Sequence, residues 1–444
     1  MPPRLVPFAV GDLRTVLVLG LGVTGRAVAT AFAARGVEVL VADDRPDVDV
    51  PDRTSLVGVD ELDDVLGRVD GVHPAPGIAR SHEVYAAAER RGVPIVSELD
   101  LASAWSDRPA VTVTGTNGKT TVTALVHEMC RADGLDAELV GNNDEPWVAA
   151  IDRRGDDQPA LWVVEASSFR LDPIQHHRAA VAVWLNFAPD HLDWHGDLDD
   201  YEAAKARLFE LQGADDVALG DAADETVRRR LAAAPARTEL VGAPDGDWRI
   251  EGDVLVSPSG PVELGGSPRR TGPHDLVDLA AAAAAAHHAG VGVGAVVEVI
   301  RSFEGLPHRL QLVARRGGVD FYDDSKATAP HATIAGLRGF DGAVLVAGGR
   351  NKGLDLAELR EIAGHLRAVV AIGEAAPQIH DVFDGLVPVV VADSMSEAVT
   401  AGADLAAPDG AVVLSPACAS FDWYRNYGER GDDFARLARE VAAS

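Results

Sequence analysis

Short apolar runs alternate with amphipathic helical patterns along most of this chain. In the first block, β-rich runs at residues 15–19 and 37–42 flank a helical pattern at 26–35. That order predicts a βαβ unit. The block ends near residues 97–99, and a joint that contains aspartate and proline follows at 106–109.

A second block opens with the apolar run 110–114 and the helical pattern 122–132. Further strands are predicted at 161–164 and 180–185, and short strands and turns at 238–267. Strands that alternate with helices indicate a parallel sheet that is covered on both faces.

A third block begins after Gly305-Leu306-Pro307. Its apolar runs are separated by helical segments and lie at 343–346, 368–372, 387–391 and 411–414. This pattern is typical of another doubly wound α/β domain.

The three blocks predict an α/β protein of three domains. The first domain, residues 1–106, and the third, residues 306–444, are expected to be Rossmann-like. The second, residues 107–305, is expected to be built on a parallel sheet. A chain of 444 residues allows this division, at roughly 100–200 residues per domain.

Charge and cysteine content argue against several classes of function. A formal net charge of −29 disfavours nucleic acid and anionic membranes as partners, because both carry negative phosphates. The two cysteines, Cys130 and Cys418, are too few and too far apart for a disulfide framework or a zinc site. The N-terminal residues lack the apolar core of a signal peptide, and no apolar stretch is long enough to span a bilayer. We therefore expect a soluble, cytoplasmic protein.

Lysine is rare in this chain, with four residues against thirty-six arginines. A lysine ammonium is compact and its pKa shifts readily, whereas a guanidinium is delocalised and stays protonated. A coding bias would leave the few lysines at random positions, but each of them lies in a segment with other signs of chemistry. They are Lys119, Lys205, Lys326 and Lys352.

The first glycine loop, Gly20-Leu21-Gly22-Val23-Thr24-Gly25, lies between a predicted strand and a predicted helix. With Asp43 downstream it fits the dinucleotide-binding pattern, in which glycines let a diphosphate approach the backbone and the helix N-terminus. A glycine-rich turn without a ligand is the alternative. The pattern indicates a phosphate-bearing nucleotide and does not identify it as NAD.

A second loop also lies between a predicted strand and a helix, and its composition is that of a phosphate cradle. Its backbone N–H groups would hold phosphates, Lys119 would neutralise them, and the Thr120 hydroxyl would bind Mg²⁺. A strict Walker sequence has a glycine where this chain has Val113. The candidate nucleotide-binding residues are Gly115, Thr116, Asn117, Gly118, Lys119, Thr120 and Thr121.

Three further residues are candidates for catalysis. Glu165 ends an apolar strand, where a carboxylate at the edge of a parallel sheet is placed to bind Mg²⁺, although a surface charge is the simpler alternative. His191 follows Asp190 in a carboxylate-rich loop and would bind a second Mg²⁺ or contact a phosphorylated intermediate; a lone histidine is more often structural. Lys205 lies on an amphipathic helix, where a solvated lysine is the ordinary interpretation.

The motifs together resemble those of the Mur ligase family, the ATP-dependent amide ligases of peptidoglycan precursor synthesis. The resemblance extends from the first glycine loop to the C-terminus. Besides the two loops it rests on Glu165-Ala166-Ser167-Ser168-Phe169, Asn186, Pro189-Asp190-His191-Leu192-Asp193, residues 201–205, Gly305-Leu306-Pro307-His308-Arg309, Asp324-Ser325-Lys326-Ala327-Thr328 and Ser415-Pro416-Ala417-Cys418-Ala419-Ser420. The last two strings are similar to those of the member that adds glutamate.

The resemblance implies a ligase that adds glutamate, with D-glutamate favoured, to UDP-N-acetylmuramoyl-L-alanine through an acyl phosphate. It implies a central domain of the P-loop ATPase type that uses ATP and Mg²⁺. The implied catalytic residues are Lys119, Glu165, His191 and Lys205, and the implied metal ligands are Thr120, Glu165, His191 and Lys205. Lys205 would be carbamylated by CO₂, which turns an amine into a carboxylate-like ligand.

The resemblance also implies where the substrates bind, in an enzyme expected to be a monomer. The UDP group would contact Val23, Thr24, Asp43, Asp44, Arg45, Pro76 and Gly77, and the muramoyl-alanine end Asn142 and His191. Glutamate would contact Lys326, Thr328, Lys352, Ser420 and Tyr427. The nucleotide part of ATP would contact Asp278, Arg309 and Asp324.

Several positions depart from the family pattern and leave alternatives open. Asp275, Asp278 and Ala329 stand where the family has asparagine, and Ala166 and Arg170 replace residues of its Glu-Leu-Ser-Ser-Phe-Gln string. These departures allow a ligase for L-glutamate or another amino acid, or a non-catalytic nucleotide-binding descendant. A dehydrogenase would explain only the first loop, and folylpolyglutamate synthases lack a UDP-binding first domain.

Overall fold

The computed structural model describes residues 5–45, 48–142, 145–242, 244–269, 271–351 and 353–443. The chain forms two compact units, Met1–Phe303 and Glu304–Ser444. Unit 1 contains two parallel sheets and a small antiparallel sheet, and unit 2 contains one mixed sheet.

The first sheet of unit 1 has four parallel strands in the order β3-β2-β1-β4. The strands are β1 (Thr15–Leu19), β2 (Glu38–Ala42), β3 (Thr54–Leu56) and β4 (Gly71–Pro74), and the helices are α1 (Val23–Ala34), α2 (Leu62–Leu66), α3 (Glu83–Arg91) and α4 (Glu98–Trp105). The predicted βαβ unit is confirmed. Helix α1 begins inside the glycine loop, with Gly22 as its N-cap, a position at which glycine is one of the preferred residues.

The second sheet has six parallel strands in the order β10-β9-β8-β5-β7-β6. The strands are β5 (Ala110–Thr114), β6 (Ala137–Gly141), β7 (Leu161–Glu165), β8 (Val181–Trp184), β9 (Val217–Asp221) and β10 (Arg237–Val241). The helices are α5 (Lys119–Ala132), α6 (Trp147–Arg154), α7 (Ser168–Leu171), α8 (Leu192–His195), α9 (Leu198–Glu210), α10 (Glu225–Leu231), α11 (Pro273–His288) and α12 (Val293–Ser302). Three short antiparallel strands, β11 (Arg249–Glu251), β12 (Val254–Val256) and β13 (Val262–Glu263), complete the unit.

The alanine run of α11 is a helix interior, as its composition predicts. Residues 279–286 are all buried, and all of them except Ala280 belong to one apolar cluster with α5 and strands of the second sheet. Alanine is the strongest helix former, and its small side chain lets helices pack closely. This packing holds α11 against the helix that begins at the phosphate loop.

Unit 2 is a six-stranded sheet in the order β14-β15-β19-β16-β17-β18. The strands are β14 (Gln311–Arg316), β15 (Val319–Asp323), β16 (Ala343–Gly348), β17 (Leu366–Ile372), β18 (Val389–Ala392) and β19 (Gly410–Leu414). The helices are α13 (Pro330–Leu337), α14 (Ala376–Phe383), α15 (Met395–Ala406) and α16 (Tyr427–Ala443), together with the 3₁₀ segment Leu356–His365.

The sheet of unit 2 is mixed, because β14 and β15 form an antiparallel hairpin at its edge. The sequence analysis does not predict this hairpin, since charged residues interrupt its apolar pattern. In the part of the chain that the structure describes, no helix has the length and apolarity that a membrane span requires.

Candidate active site

The phosphate loop connects β5 to α5 and is fixed by hydrogen bonds to the segment after β8. The N–H of Asn117 donates to Asn186 Oδ1 at 2.8 Å, and Asn186 Nδ2 donates to the carbonyl of Asn117 at 3.2 Å. Gly118, the N-cap of α5, has a φ of +83°, in the region that favours glycine. The loop therefore turns into the helix with the N–H groups of the first turn of α5 directed at its mouth, as phosphate binding requires.

Two of the four lysines meet at one backbone carbonyl of this loop. Lys119 Nζ donates to the carbonyls of Gly115 and Thr116, each at 2.9 Å. Lys205 Nζ, from α9, donates to the same Gly115 carbonyl at 2.9 Å. The structure thus brings together two residues that are 86 positions apart in sequence, and both lie at the phosphate cradle.

Lys205 is deeply buried, with 1% of its surface exposed. Burial, together with the nearby charge of Lys119, lowers the pKa of Lys205 well below its usual range. The ordinary interpretation of a solvated lysine is therefore wrong for this residue. A neutral amine is nucleophilic, as reaction with CO₂ requires.

Glu165 ends β7 with its side chain fully buried. Asn142, which follows the neighbouring strand β6, donates from Nδ2 to Glu165 Oε1 at 3.2 Å and from its N–H to the Glu165 carbonyl at 3.0 Å. Two predicted residues thus meet at the carboxyl edge of the sheet. The surface-charge alternative for Glu165 is wrong, because its side chain is buried. Its carboxylate has the oxygen donors that Mg²⁺ prefers.

His191 lies in an aromatic cluster beside the phosphate loop. Its ring contacts Phe169 at 4.7 Å between centroids and lies 6.3 Å from the ring of Tyr201, whose hydroxyl is 3.2 Å from Thr116 Oγ1. The backbone of His191 has a φ of +55°, which is uncommon for a residue with a side chain. Nε2 of His191 is 3.3 Å from Asp190 Oδ2.

His195 belongs to the same cluster, and the sequence analysis assigns it no role. Its Nε2 is 2.9 Å from Ser168 Oγ, and burial lowers its pKa to about 4, so the ring is neutral. This contact ties α8 to α7, which follows Glu165. Among the described residues no group of three or more His, Cys, Asp or Glu side chains is arranged to hold a metal ion. A metal at Thr120, Glu165, His191 and Lys205 would therefore also use phosphate oxygens or the carbamate.

Asp278, on α11, lies against the phosphate loop. A Cβ atom on Gly118 would lie 2.6 Å from Asp278 Oδ1, which shows how closely the carboxylate approaches the start of α5. The predicted residue is therefore beside the cradle. It places a negative charge where the family pattern has a neutral amide.

The first glycine loop is folded around Asp43. The N–H of Leu21 donates to Asp43 Oδ2 at 2.6 Å, and the guanidinium of Arg45 donates to both carboxylate oxygens at 2.7 and 2.8 Å. These contacts hold the pKa of Asp43 well below its usual range. Gly20 approaches Ala75, so the loops after β1, β2 and β4 meet at one edge of the sheet, where Pro76 and Gly77 also lie.

A cavity of about 740 Å³ lies beside this loop. Val23 and Arg45 line it from the first sheet, and Pro146 and Ala149 from the start of α6. Its walls are mostly apolar, and the volume is within the range of small-molecule sites. Of the predicted UDP contacts, Val23 and Arg45 line this cavity.

We expect Gly25→Ala to lower the free energy of unfolding by at least about 2 kcal/mol. A Cβ at Gly25 would lie 1.9 Å from the backbone oxygen of Gly20, so β1 and α1 must separate. Gly22→Ala is the matched control, because nothing lies within 4 Å of a Cβ at Gly22 and its φ is −70°. Urea unfolding of both variants checks the prediction, and equal midpoints would contradict it.

In unit 2 the loops after β15 and β19 meet at the carboxyl edge of the sheet. The N–H of Ala417 donates to the carbonyl of Ala327 at 2.9 Å. Lys326 Nζ lies 4.2 Å from the centre of the Tyr427 ring, which pairs two residues predicted to bind glutamate. Ser420 is buried near the end of the same loop system.

The glycine loop after β16 reaches the same place, through the pairing of Arg350 with Ala419. Lys352, predicted to bind glutamate, lies outside the described residues. Thr328 is described, and its N–H donates to the carbonyl of Lys326 at 2.9 Å.

Asp324 and Arg309, predicted to contact the nucleotide of ATP, lie in the loops at this edge of unit 2. Asp324 is mostly buried; it accepts from Ser415 Oγ at 2.7 Å and from the N–H of Leu310 at 3.2 Å. Burial raises the pKa of Asp324 to about 7. The Asp324 carboxyl group therefore links the segment before β14 to the loop after β19.

Arg430 is a buried arginine that the sequence analysis does not select. It donates from Nε to Ser325 Oγ at 2.9 Å, from Nη2 to the Ser325 carbonyl at 2.9 Å and from Nη1 to the Cys418 carbonyl at 3.1 Å. These bonds join the two loops that carry Lys326 and Ser420. An isolated arginine on an amphipathic helix has no sequence signal that separates it from a surface residue.

Comparison with known proteins covers most of the chain. Residues 14–97 match the Mur ligase MurD-like N-terminal domain, residues 113–262 the Mur ligase middle domain, and residues 308–418 the Mur ligase glutamate ligase domain. UDP-N-acetylmuramoylalanine–D-glutamate ligases from Rubrobacter xylanophilus and Pelotomaculum thermopropionicum are 38% and 37% identical to it. Each alignment covers 96% of this chain, and 98% and 97% of the two relatives.

Solved structures show the same fold. The MurF ligase from Thermotoga maritima in complex with ADP has a TM-score of 0.60 at 18% identity, and the alignment covers 99% of both chains. The UDP-N-acetylmuramate-alanine ligase MurC from Thermotoga maritima has a TM-score of 0.57 at 15% identity, covering 97% of this chain and all of the other. The α/β fold class predicted from the sequence is confirmed.

Proposed function

Because the chain belongs to the Mur ligase family, we propose that it joins D-glutamate to UDP-N-acetylmuramoyl-L-alanine, coupled to cleavage of ATP, in peptidoglycan precursor synthesis. Relatives named for this activity align with nearly the whole chain. The observation that carries the proposal is the convergence of Lys119 and Lys205 on the Gly115 carbonyl.

The reaction activates a carboxylate, which by itself is a poor electrophile. A carboxylate oxygen of the muramoyl-alanine substrate attacks the γ-phosphorus of ATP, the bond to ADP breaks, and an acyl phosphate forms. The amine of glutamate then attacks the carbonyl carbon, phosphate leaves, and the nitrogen loses a proton. Phosphate leaves an acyl centre far more readily than oxide would.

The role of the cradle is to stabilise negative charge on the phosphoryl oxygens. Lys119 supplies a fixed positive charge, and the N–H groups at the start of α5 supply hydrogen-bond donors. The Asn117–Asn186 pair keeps the loop in one shape, so that these donors are already oriented when the nucleotide arrives.

Mg²⁺ would be held by the oxygen donors of Thr120, Glu165 and a carbamate on Lys205. His191 would bind a second Mg²⁺ through a ring nitrogen or contact the acyl phosphate. The ion would neutralise phosphate charge and polarise the transferred group. Asn142 holds Glu165 in place, and its amide would also contact the muramoyl-alanine end. Burial of Lys205 supports the carbamate, because it favours the neutral amine that reacts with CO₂.

The division of roles follows the expected domains, 1–106, 107–305 and 306–444. The first binds UDP around the cavity beside α1, the second binds ATP, and the third binds glutamate through Lys326, Thr328, Lys352, Ser420 and Tyr427. Arg309, Asp324 and Asp278 contact the nucleotide part of ATP. We propose a cytoplasmic monomer, since ATP is a cytoplasmic substrate.

A ligation assay tests the proposed function. The purified protein is incubated with ATP, Mg²⁺ and UDP-N-acetylmuramoyl-L-alanine, with D-glutamate or L-glutamate as the second substrate. We expect phosphate release and a product larger by one glutamyl residue with D-glutamate. Ligation of L-glutamate alone would identify the related ligase, and no ligation of either would leave a non-catalytic nucleotide-binding protein.

A further inference from the structure

Arg170 connects the segment after Glu165 to the first glycine loop. Its guanidinium is buried, with Arg170 5% exposed; Nη1 donates to Glu98 Oε2 at 2.5 Å and Nη2 donates to Thr24 Oγ1 at 2.9 Å. Thr24 lies 146 positions earlier, in the first turn of α1. One side chain thus joins the sheet that carries the phosphate loop to the sheet that carries the UDP contacts.

The position of this guanidinium is determined from several sides. Glu98 also accepts from the N–H of Val148 at 3.1 Å, and Ser97 Oγ donates to the Arg170 carbonyl at 3.1 Å. A buried ion pair adds little net stability, because desolvation offsets the attraction. The Glu98–Arg170 pair is therefore better explained as a means of positioning Thr24 than as a contribution to folding stability.

The hydrogen bond between Arg170 and Thr24 can have only one donor, and this leaves the hydroxyl proton of Thr24 available. A guanidinium has no acceptor, so Thr24 Oγ1 accepts and keeps its own proton for another group. No acceptor for that proton is found among the described residues. The hydroxyl therefore offers a donor at the N-terminus of α1, where the N–H groups of the first turn already favour an anion.

We propose that Arg170 is a positioning residue for the nucleoside diphosphate substrate, acting through Thr24. It holds the Thr24 hydroxyl as a donor to a diphosphate oxygen and fixes α1 relative to the segment after Glu165. The inference rests on the proposed function, which supplies the diphosphate.

The chain of contacts from Glu98 through Arg170 to Thr24 is called the relay below. The test compares variants that remove the relay without leaving a buried charge unpaired. In E98Q/R170M both partners lose their charge, and in T24V the hydroxyl is replaced by a methyl group of similar size. For either variant we expect the KM for UDP-N-acetylmuramoyl-L-alanine to rise by about ten-fold, the effect of one hydrogen bond to a charged group. The kcat and the KM for ATP should change by less than about two-fold, since the phosphate loop is untouched.

The triple variant T24V/E98Q/R170M separates a relay from two independent effects. If Arg170 acts through Thr24, its KM also rises about ten-fold, because the second change removes nothing more. A rise of about 100-fold would show independent contributions and overturn the proposal. So would an unchanged KM in T24V, or a parallel rise in the KM values of all substrates.

The matched control removes another ion pair from the helices of the first sheet, at residues that do not line the cavity beside α1. Arg91 of α3 pairs with Asp63 of α2 at 2.5 Å, and R91M/D63N should leave the KM for the nucleotide substrate within about two-fold of wild type. Calorimetric titration with UDP keeps this inference distinct from the proposed function. Weaker UDP binding in T24V and E98Q/R170M upholds the relay even if the wild type ligates neither D-glutamate nor L-glutamate. If the wild type is active and the variants have unchanged UDP binding and unchanged KM, the relay is rejected and the proposed function stands.

Discussion

Replacing Lys119 by alanine is expected to lower kcat for ligation by about 10²–10³-fold, the usual loss when one stabilising group is removed from a developing charge. Lys119 Nζ is fixed by two loop carbonyls, so its positive charge is already oriented in the cradle. Product formation measured under saturating substrates checks the result. Near-normal turnover would contradict the assignment of the phosphate cradle.

Arg131→Ala is the matched control for this variant. Arg131 is an exposed cation in the last turn of the same helix, α5, and pairs with Glu128. Its loss removes the same unit of charge from the same element and should change kcat by less than about two-fold. Thermal unfolding of both variants shows whether the loss of activity in K119A comes from chemistry or from a damaged fold.

Replacing Lys205 by alanine is expected to abolish ligation, with partial recovery when acetate is added. The buried amine favours the neutral form that reacts with CO₂, and the resulting carbamate would serve as an anionic metal ligand. Acetate supplies a small carboxylate in the space that the lysine leaves. Ligation by K205A measured over a range of acetate concentrations, at constant ionic strength, checks the prediction.

Two controls separate this role from a simple need for positive charge. Lys205→Arg keeps the cation but neither reacts with CO₂ nor leaves room for acetate, so it should stay inactive. K119A should gain nothing from acetate, because that position requires a cation. Recovery of K205R to near wild-type activity would show that Lys205 acts as an unmodified cation.

The fold was predictable where a motif with candidate chemical groups lies directly beside a clear hydrophobic pattern. The strand–loop–helix around Lys119 has an apolar run, glycines and a helical pattern in direct succession. The strand forms at the predicted residues 110–114, and the helix begins at Lys119, three residues before the predicted start. The hairpin of β14 and β15 was not predicted, because its strands carry arginines and aspartates on a partly exposed edge. Of the two, only β14 is an edge strand and it is only partly buried, whereas β15 lies between β14 and β19 and alternates in burial, with aspartate at two of its five positions.

The candidate site was only partly predictable, for a physical reason. Glu165 and Lys119 lie at strand ends of one parallel sheet, so their proximity follows from topology. The contact of Lys205 with Gly115 and that of Arg170 with Thr24 depend on how helices pack over long sequence separations. No local pattern records such packing, and a buried arginine or lysine looks like a surface residue in sequence.

The carbonyl of Gly115, shared by two lysines, has a consequence for the heat of nucleotide binding. Burial, together with the charge of Lys119, lowers the pKa of Lys205, so the unmodified amine loses its proton at a lower pH than a separate lysine would. A bound polyphosphate favours protonation of this amine, because negative charge raises a lysine pKa. The binding enthalpy of ATP should then vary with the ionisation enthalpy of the buffer, and a count of protons would report the state of Lys205.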